Sequence, residues 1–204
     1  DVTVCGGTPG RLFRISFSGE LAYEVAVPAR YGDALIREII SAGEEFNITP
    51  YGTEALGVMR IEKGHVTGAE LNGQMTAFNI NMNNMISTKK DSIGSVLSRR
   101  EVMVADDQVR LVGVKTIKKS DSLSSGAHFL AENDKPTTQN DQGWITSVCY
   151  SPHFEQHIGL GFLERGHERH GEVLRAWDGI RGTDVLVEIV SSHMYDPEGG
   201  LQRG

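Results

Sequence analysis

The 204-residue sequence predicts an α+β protein in two parts. Residues 1–100 read as helices laid on antiparallel strands, and residues 101–204 as a compact antiparallel barrel or sandwich. Three observations predict this. Two short alternating runs, at 12–17 and 23–27, flank the turn-like Ser18-Gly19-Glu20-Leu21. Two helical patterns follow them. After about Arg100 the chain becomes a series of six short strand-like runs separated by turn residues.

In the first run Phe13, Ile15 and Phe17 fall on one face and Arg14 and Ser16 on the other; Tyr23, Val25 and Val27 repeat the pattern in the second. The pair reads as a β-hairpin, with Gly6-Gly7-Thr8-Pro9-Gly10 as a loop ahead of it. Glu24 breaks the second run. It points away from Tyr23 and Val25, between the small Ala22 and Ala26, which leave room beside it; taken alone, it reads as an exposed strand residue. Pro28 ends the strand and opens a helix of about 14 residues carrying the stripe Leu35, Ile36, Ile39 and Ile40.

The second helix should start with Thr53 as its cap and stop at Gly64. Ala55, Val58 and Met59 form its apolar face, and Arg60 and Lys63 lie in the last turn, where cations are favoured. Taken alone, Arg60 reads as a solvated helix-end residue. Its rigid donor fork would also suit a planar ligand or a carboxylate. Residues 68–87, rich in Asn and Gly, read as ordered loop, and a short helix is expected to end at Arg99-Arg100. Lys89, Lys90, Arg99 and Arg100 read as a solvated face. The expected strands of the second part are 109–116, 127–131, 143–150, 158–163, 172–177 and 185–190. Two strands make a poor sheet, so the first part is expected to take further strands from sequence preceding Asp1.

Composition narrows the function. A formal charge of −7 argues against a general nucleic-acid or anionic-membrane surface, and no apolar run approaches the roughly 18 residues of a membrane span. The first residues lack a signal-peptide pattern and an initiator Met, so a cytoplasmic segment of a longer chain is expected. Cys5 and Cys149 form neither a CxxC nor a disulfide framework, which makes a reducing compartment the default. His167-x-x-His170 lies in a polar turn without companion ligands, so no metal is expected. Gly159-Leu160-Gly161 sits inside an apolar strand and is no dinucleotide fingerprint. No Ser/His/Asp set declares itself.

Longer strings carry more. Ser18-Gly19-Glu20-Leu21-Ala22-Tyr23-Glu24-Val25 resembles the Gly-Glu-x-x-aromatic-Glu hairpin of the glycine cleavage T-protein (aminomethyltransferase) superfamily. Met59-Arg60-Ile61-Glu62-Lys63-Gly64 resembles its Arg-[Leu/Ile]-Glu helix, and Asp91-Ser92-Ile93-Gly94 its Asp-Phe-Ile-Gly element, with Ser for Phe. Gly143-Trp144-Ile145-Thr146-Ser147 through Pro152, then Ile158 to Phe162, is similar to its C-terminal barrel. The matches occur in family order. Within the superfamily the helix and the tail Tyr195-Asp196-Pro197-Glu198-Gly199-Gly200 are most similar to the sarcosine oxidase alpha-subunit branch. His65 stands where an iron–sulfur-maintenance branch has Cys, which disfavours that branch.

The resemblance implies a partial folate-binding, aminomethyltransferase-like α/β layer at 1–100 and a C-terminal antiparallel β-barrel at 101–204. It implies tetrahydrofolate held by Glu24 and Arg60, with Tyr23 and Tyr195 as weaker candidates, and formation of 5,10-methylenetetrahydrofolate from the one-carbon unit of sarcosine. FAD, FMN and NAD would sit in other parts of the assembly, with the other subunits and the N-terminal part of the alpha subunit as partners. The family's catalytic Asp is expected upstream of Asp1, so no catalytic residue is assigned and the stretch alone is expected to be inactive. An exposed strand edge or apolar patch is expected in its first half, open to homodimer formation. The alternatives are a glycine cleavage aminomethyltransferase served by a lipoyl-bearing protein, and a non-catalytic folate-binding or subunit-docking module.

Overall fold

In the computed structural model, which describes residues 1–204, the chain forms two compact units: Asp1–Gly57 with Glu198–Gly204, and Val58–Pro197. The first unit opens with strands β1 (Val2–Val4), β2 (Thr8–Phe13) and β3 (Glu24–Ala26), a three-stranded antiparallel sheet in that order. The expected antiparallel pair is present as β2 and β3, with shorter pairing than expected and β1 as a third strand. The turn at Cys5-Gly6-Gly7, closed by the Gly7 N–H on the Val4 carbonyl, starts β2 earlier than expected and gives it a partner in β1. Pro9, which has no N–H to donate, lies in the half of β2 flanked only by β1.

Residues 14–23 leave the ladder because local bonds compete for their backbone. The Ser16 and Ser18 hydroxyls accept from the Gly19 and Glu20 N–H groups, and the Leu21 N–H donates to the Leu201 carbonyl. Phe13 pairs with Glu24 and Leu12 with Val25, so Phe13 shares the side of the sheet that carries Glu24.

A 3-10 turn at Ala29–Tyr31 precedes helix α1 (Gly32–Gly43), close to the expected helix. Its stripe is not covered: Ile36 is 51% exposed, and Ile39 and Ile40 are exposed as well. In Asp1–Gly57 only Thr8, Gly19 and Gly43 are buried, and none of them is a hydrophobic side chain.

The second unit is different in kind. Its six strands are β4 (Val109–Thr116), β5 (His128–Leu130), β6 (Gly143–Ser151), β7 (Gln156–Glu164), β8 (Val173–Asp178) and β9 (Thr183–Val190). They close into an antiparallel barrel in the order β4-β7-β6-β5-β8-β9, sealed by pairing of β4 with β9. All six expected runs became strands, and closure removes the free edges a sandwich would leave. Inside lie Val112, Val114, Phe129, Ile145, Leu163, Leu174, Val187 and Ile189.

A second cluster forms on the outer side of the barrel. Leu111, Ile158, Leu160 and Phe162 pack there with Ile61 from helix α2 (Thr53–Lys63), and with Val66, Met75 and Ile80 from the following loop. Strand β7 is therefore buried on both faces, which is why 158–163 reads as a continuous apolar run. Gly161 faces inward where only hydrogen fits: a Cβ would stand 2.7 Å from the Trp144 carbonyl oxygen and 3.1 Å from the Phe129 ring. The loop 68–87 contains one 3-10 turn, Asn83–Met85, and its asparagines pin it down. Asn79 donates to the Val109 carbonyl and Asn81 to the Leu111 carbonyl, both in β4. The helix expected before Arg100 is a 3-10 turn, Leu97–Arg99.

Candidate functional site

Helix α2 delivers the polar side chains of the second unit to one buried place. The Leu56 N–H donates to the Gly52 carbonyl at 3.1 Å, so Gly52 holds the capping position and Thr53 is the first helical residue, one step earlier than expected. At the other end Gly64, with φ +78°, makes the left-handed stop. Its N–H returns to the Ile61 carbonyl and the His65 N–H to the Arg60 carbonyl, the paired bonds that close a helix C-terminus. A side chain at 64 would strike the Ser192 carbonyl oxygen at 2.4 Å. The last turn is thus held against residues 192–196.

Arg60 is not the solvated residue that its position at a helix end implies. Its side chain is only 12% exposed. One terminal nitrogen donates to the Glu70 carboxylate at 3.4 Å and to the His65 carbonyl at 3.3 Å; the other donates to the Ser147 hydroxyl at 2.7 Å. Glu70 is fully buried. It also accepts from the Thr67 N–H at 2.8 Å and from the Thr146 and Ser147 hydroxyls at 2.5 and 2.7 Å. Two consecutive strand residues reach one carboxylate because the β6–β7 register shifts between Ile145 and Ser147. A bulge there breaks the usual alternation of side chains.

Burial by itself would raise the Glu70 pKa. Hydrogen bonds from Thr146, Ser147 and Thr67, with the Arg60 charge, outweigh it and hold the carboxyl below its ordinary value.

The neighbours of Arg60 on α2 are anchored as firmly. Glu62 accepts from the Ser151 hydroxyl at 2.5 Å, and Lys63, 5% exposed at its side chain, donates to the Asp196 carboxylate at 2.6 Å. Burial pushes the Cys149 thiol up to about 12, with Glu62 adding to the rise and Arg60 opposing it, so it stays protonated at neutral pH. Burial also lowers the His193 pKa, assisted by His65 and Lys63. Tyr195 is half-buried, donates its N–H to the Glu62 carbonyl at 2.9 Å, and stacks edge-on against His153 at 4.7 Å.

The other two candidates, Tyr23 and Glu24, lie in the first unit. Glu24 opens β3 with its side chain exposed and engaged by no other side chain, and Tyr23 beside it is 55% exposed. A carboxylate in that condition can accept two neighbouring N–H donors of a ligand at once. Sequence reasoning selected Arg60 but missed the group that holds it. Glu70 appears in the sequence as one more polar loop residue, and the adjacent hydroxyls of Thr146-Ser147, inside an apolar strand, were the available signal.

Two stretches of the chain match known families, divided later in the sequence than the two structural units. Residues 1–90 match the family described as GCVT N-terminal domain, and residues 110–196 match the glycine cleavage T-protein C-terminal barrel domain. The sarcosine oxidase subunit alpha of Rhizobium meliloti (strain 1021) is 42% identical over 97% of this chain, which spans 20% of that protein. The sarcosine oxidase subunit alpha of Corynebacterium sp. (strain P-1) is 38% identical over 100% of the chain and 21% of its own length. An aminomethyltransferase of Saccharopolyspora erythraea is 26% identical over 90% of the chain and 48% of its own length. In fold, the chain is similar to the glycine cleavage system aminomethyltransferase T of Bartonella henselae. The TM-score is 0.76 at 17% identity, over 91% of this chain and 50% of that one. The chain therefore spans about a fifth of the sarcosine oxidase subunits and about half of the aminomethyltransferases that it matches.

Proposed function

The chain belongs to the glycine cleavage T-protein family, and on that premise we propose that it is the folate-binding part of a sarcosine oxidase alpha subunit. When bound, tetrahydrofolate captures the one-carbon unit of oxidative sarcosine demethylation as 5,10-methylenetetrahydrofolate. The observation that carries this reading is the similarity to sarcosine oxidase alpha subunits, which runs through both parts of the chain and exceeds that to aminomethyltransferases.

In this reading Glu24 is the principal acceptor. Its free carboxylate takes the adjacent N–H and amino donors of the pterin edge, and Tyr23, the preceding residue, is a weaker candidate because strand alternation turns it to the opposite face. Arg60 offers the donors that its buried partners leave over, and Tyr195 packs near the end of the same helix. None of the four moves a proton; they fix the ring so that its reactive nitrogens meet the incoming carbon. Flavins, NAD and the remaining subunits belong to other parts of a cytoplasmic assembly, and residues 1–204 alone do not oxidise sarcosine. The exposed apolar residues of the first unit are covered by another part of the same polypeptide. A functional division near residue 100 falls between the two matched families.

The test is titration of the protein encoded by the whole gene, with its partner subunits, by tetrahydrofolate. The expected result is saturable binding and sarcosine-dependent 5,10-methylenetetrahydrofolate. Turnover requiring a lipoyl-bearing protein and indifferent to sarcosine would favour the aminomethyltransferase reading.

A further inference from the structure

We propose that Glu70 sets the class of group that Arg60 recognises: an uncharged hydrogen-bond acceptor, such as the ring carbonyl of a reduced pterin, in preference to a carboxylate. The inference rests on the folate reading and assigns Arg60 to the ring, leaving the acidic tail of the ligand to other residues.

Of the five N–H donors of a guanidinium, three are spent on Glu70, the His65 carbonyl and Ser147. Two remain. The bonds close a loop: Arg60 reaches Glu70 directly at 3.4 Å, and again through Ser147, whose hydroxyl accepts from Arg60 and donates to Glu70 at 2.7 Å. The charge of Arg60 is thus matched by a carboxylate that has no contact with water. Nearby, Lys63 is matched by Asp196, and Glu62 contributes a further carboxylate. The nearby Cys149 thiol is held neutral.

A ligand carboxylate on the two remaining donors would approach Glu70 in a site with little water to screen the repulsion. A carbonyl oxygen uses the same donors without that cost. Glu70 is on this account a positioning residue: it touches Arg60 and not the ligand.

The test compares two probes on the protein encoded by the whole gene. Tetrahydrofolate carries a glutamyl tail, and 6-methyltetrahydropterin has the ring without it. Arg60→Gln should weaken both by the same factor, roughly tenfold or more. Glu70→Gln keeps the shape and uncovers the Arg60 charge, so the affinity ratio of tetrahydrofolate to 6-methyltetrahydropterin should rise at least threefold. Ser147→Ala removes one arm of the loop and should raise that ratio less; it serves if the Glu70 variant does not fold. Loss of tetrahydrofolate alone on Arg60→Gln would overturn the inference, as would an unchanged ratio in both other variants. If Arg60→Gln alters neither probe while the unmutated protein binds both, the inference fails and the folate reading stands. Failure of the unmutated protein to bind either probe would remove both.

Discussion

The sheet of β1–β3 and the barrel of β4–β9 use similar residues to opposite effect. Leu12, Phe13, Ile15, Phe17 and Tyr23 are each at least 40% exposed, and α1 leaves Ile36, Ile39 and Ile40 open to water. In the barrel Val112, Val114, Phe129, Ile145, Leu160 and Phe162 are all at 0%. The difference is closure rather than composition. Six strands that return to their first neighbour bury one face on themselves and leave no edge, and α2 with its following loop covers part of the outside. Three short strands and one amphipathic helix cannot enclose anything. Its large apolar side chains therefore stay exposed on both sides of the sheet and along α1 instead of forming a core. The roles divide in the same way: the closed unit holds the buried Arg60–Glu70 framework, and the open unit presents the unengaged Glu24.

The largest effect should separate the units by stability. Phe129→Ala should cost about 3–5 kcal/mol in denaturant unfolding of the barrel. Phe13→Ala, at a site 41% exposed, should cost under about 1 kcal/mol. Equal losses would break the comparison.

Next comes Glu70. Its folded pKa lies below its unfolded value, so it stabilises the fold above the ordinary carboxylate range, and that stabilisation is lost as pH falls through the depressed value. Glu70→Ala, which leaves a buried Arg60 uncompensated, should cost about 3 kcal/mol at neutral pH, and the penalty should shrink on acidification. A penalty independent of pH would show that the carboxylate charge is not what matters there.

Smaller, and confined to binding, is the effect at Glu24. Glu24→Ala should weaken tetrahydrofolate by about 1.5–3 kcal/mol while leaving the unfolding midpoint in place. An unchanged titration would remove Glu24 from the site. Least of all, Phe46→Ser, at a residue 76% exposed, should leave stability within about 0.5 kcal/mol.

The barrel was legible because its strands are long, alternate or run continuously apolar, and are fenced by turn residues; β4 begins and ends where the pattern does. The small sheet was not, because its strands are short and two non-periodic features decide them. One is the turn at Cys5-Gly6-Gly7; the other is the pair of Ser16 and Ser18 bonds that take residues 14–23 out of the ladder. Helix α2 was legible from Gly64 and its apolar face. The burial of its last turn was not, since Ile61, Glu62 and Lys63 lie next to one another and no periodic stripe predicts three consecutive buried residues. Glu70 was harder to find: its partners Arg60, Thr146 and Ser147 are brought to it by tertiary packing and a bulge, and the adjacent hydroxyls of Thr146-Ser147 in an apolar strand are the one local sign of it.

Hydrogen exchange on the protein encoded by the whole gene, with and without tetrahydrofolate, tests the central claim most directly. Slow exchange is expected in β4–β9 under both conditions, with new protection at residues 23–26 on adding tetrahydrofolate. Protection confined to the barrel strands, or no change at 23–26 under saturating tetrahydrofolate, would contradict the assignment of Glu24 and its strand to the folate site.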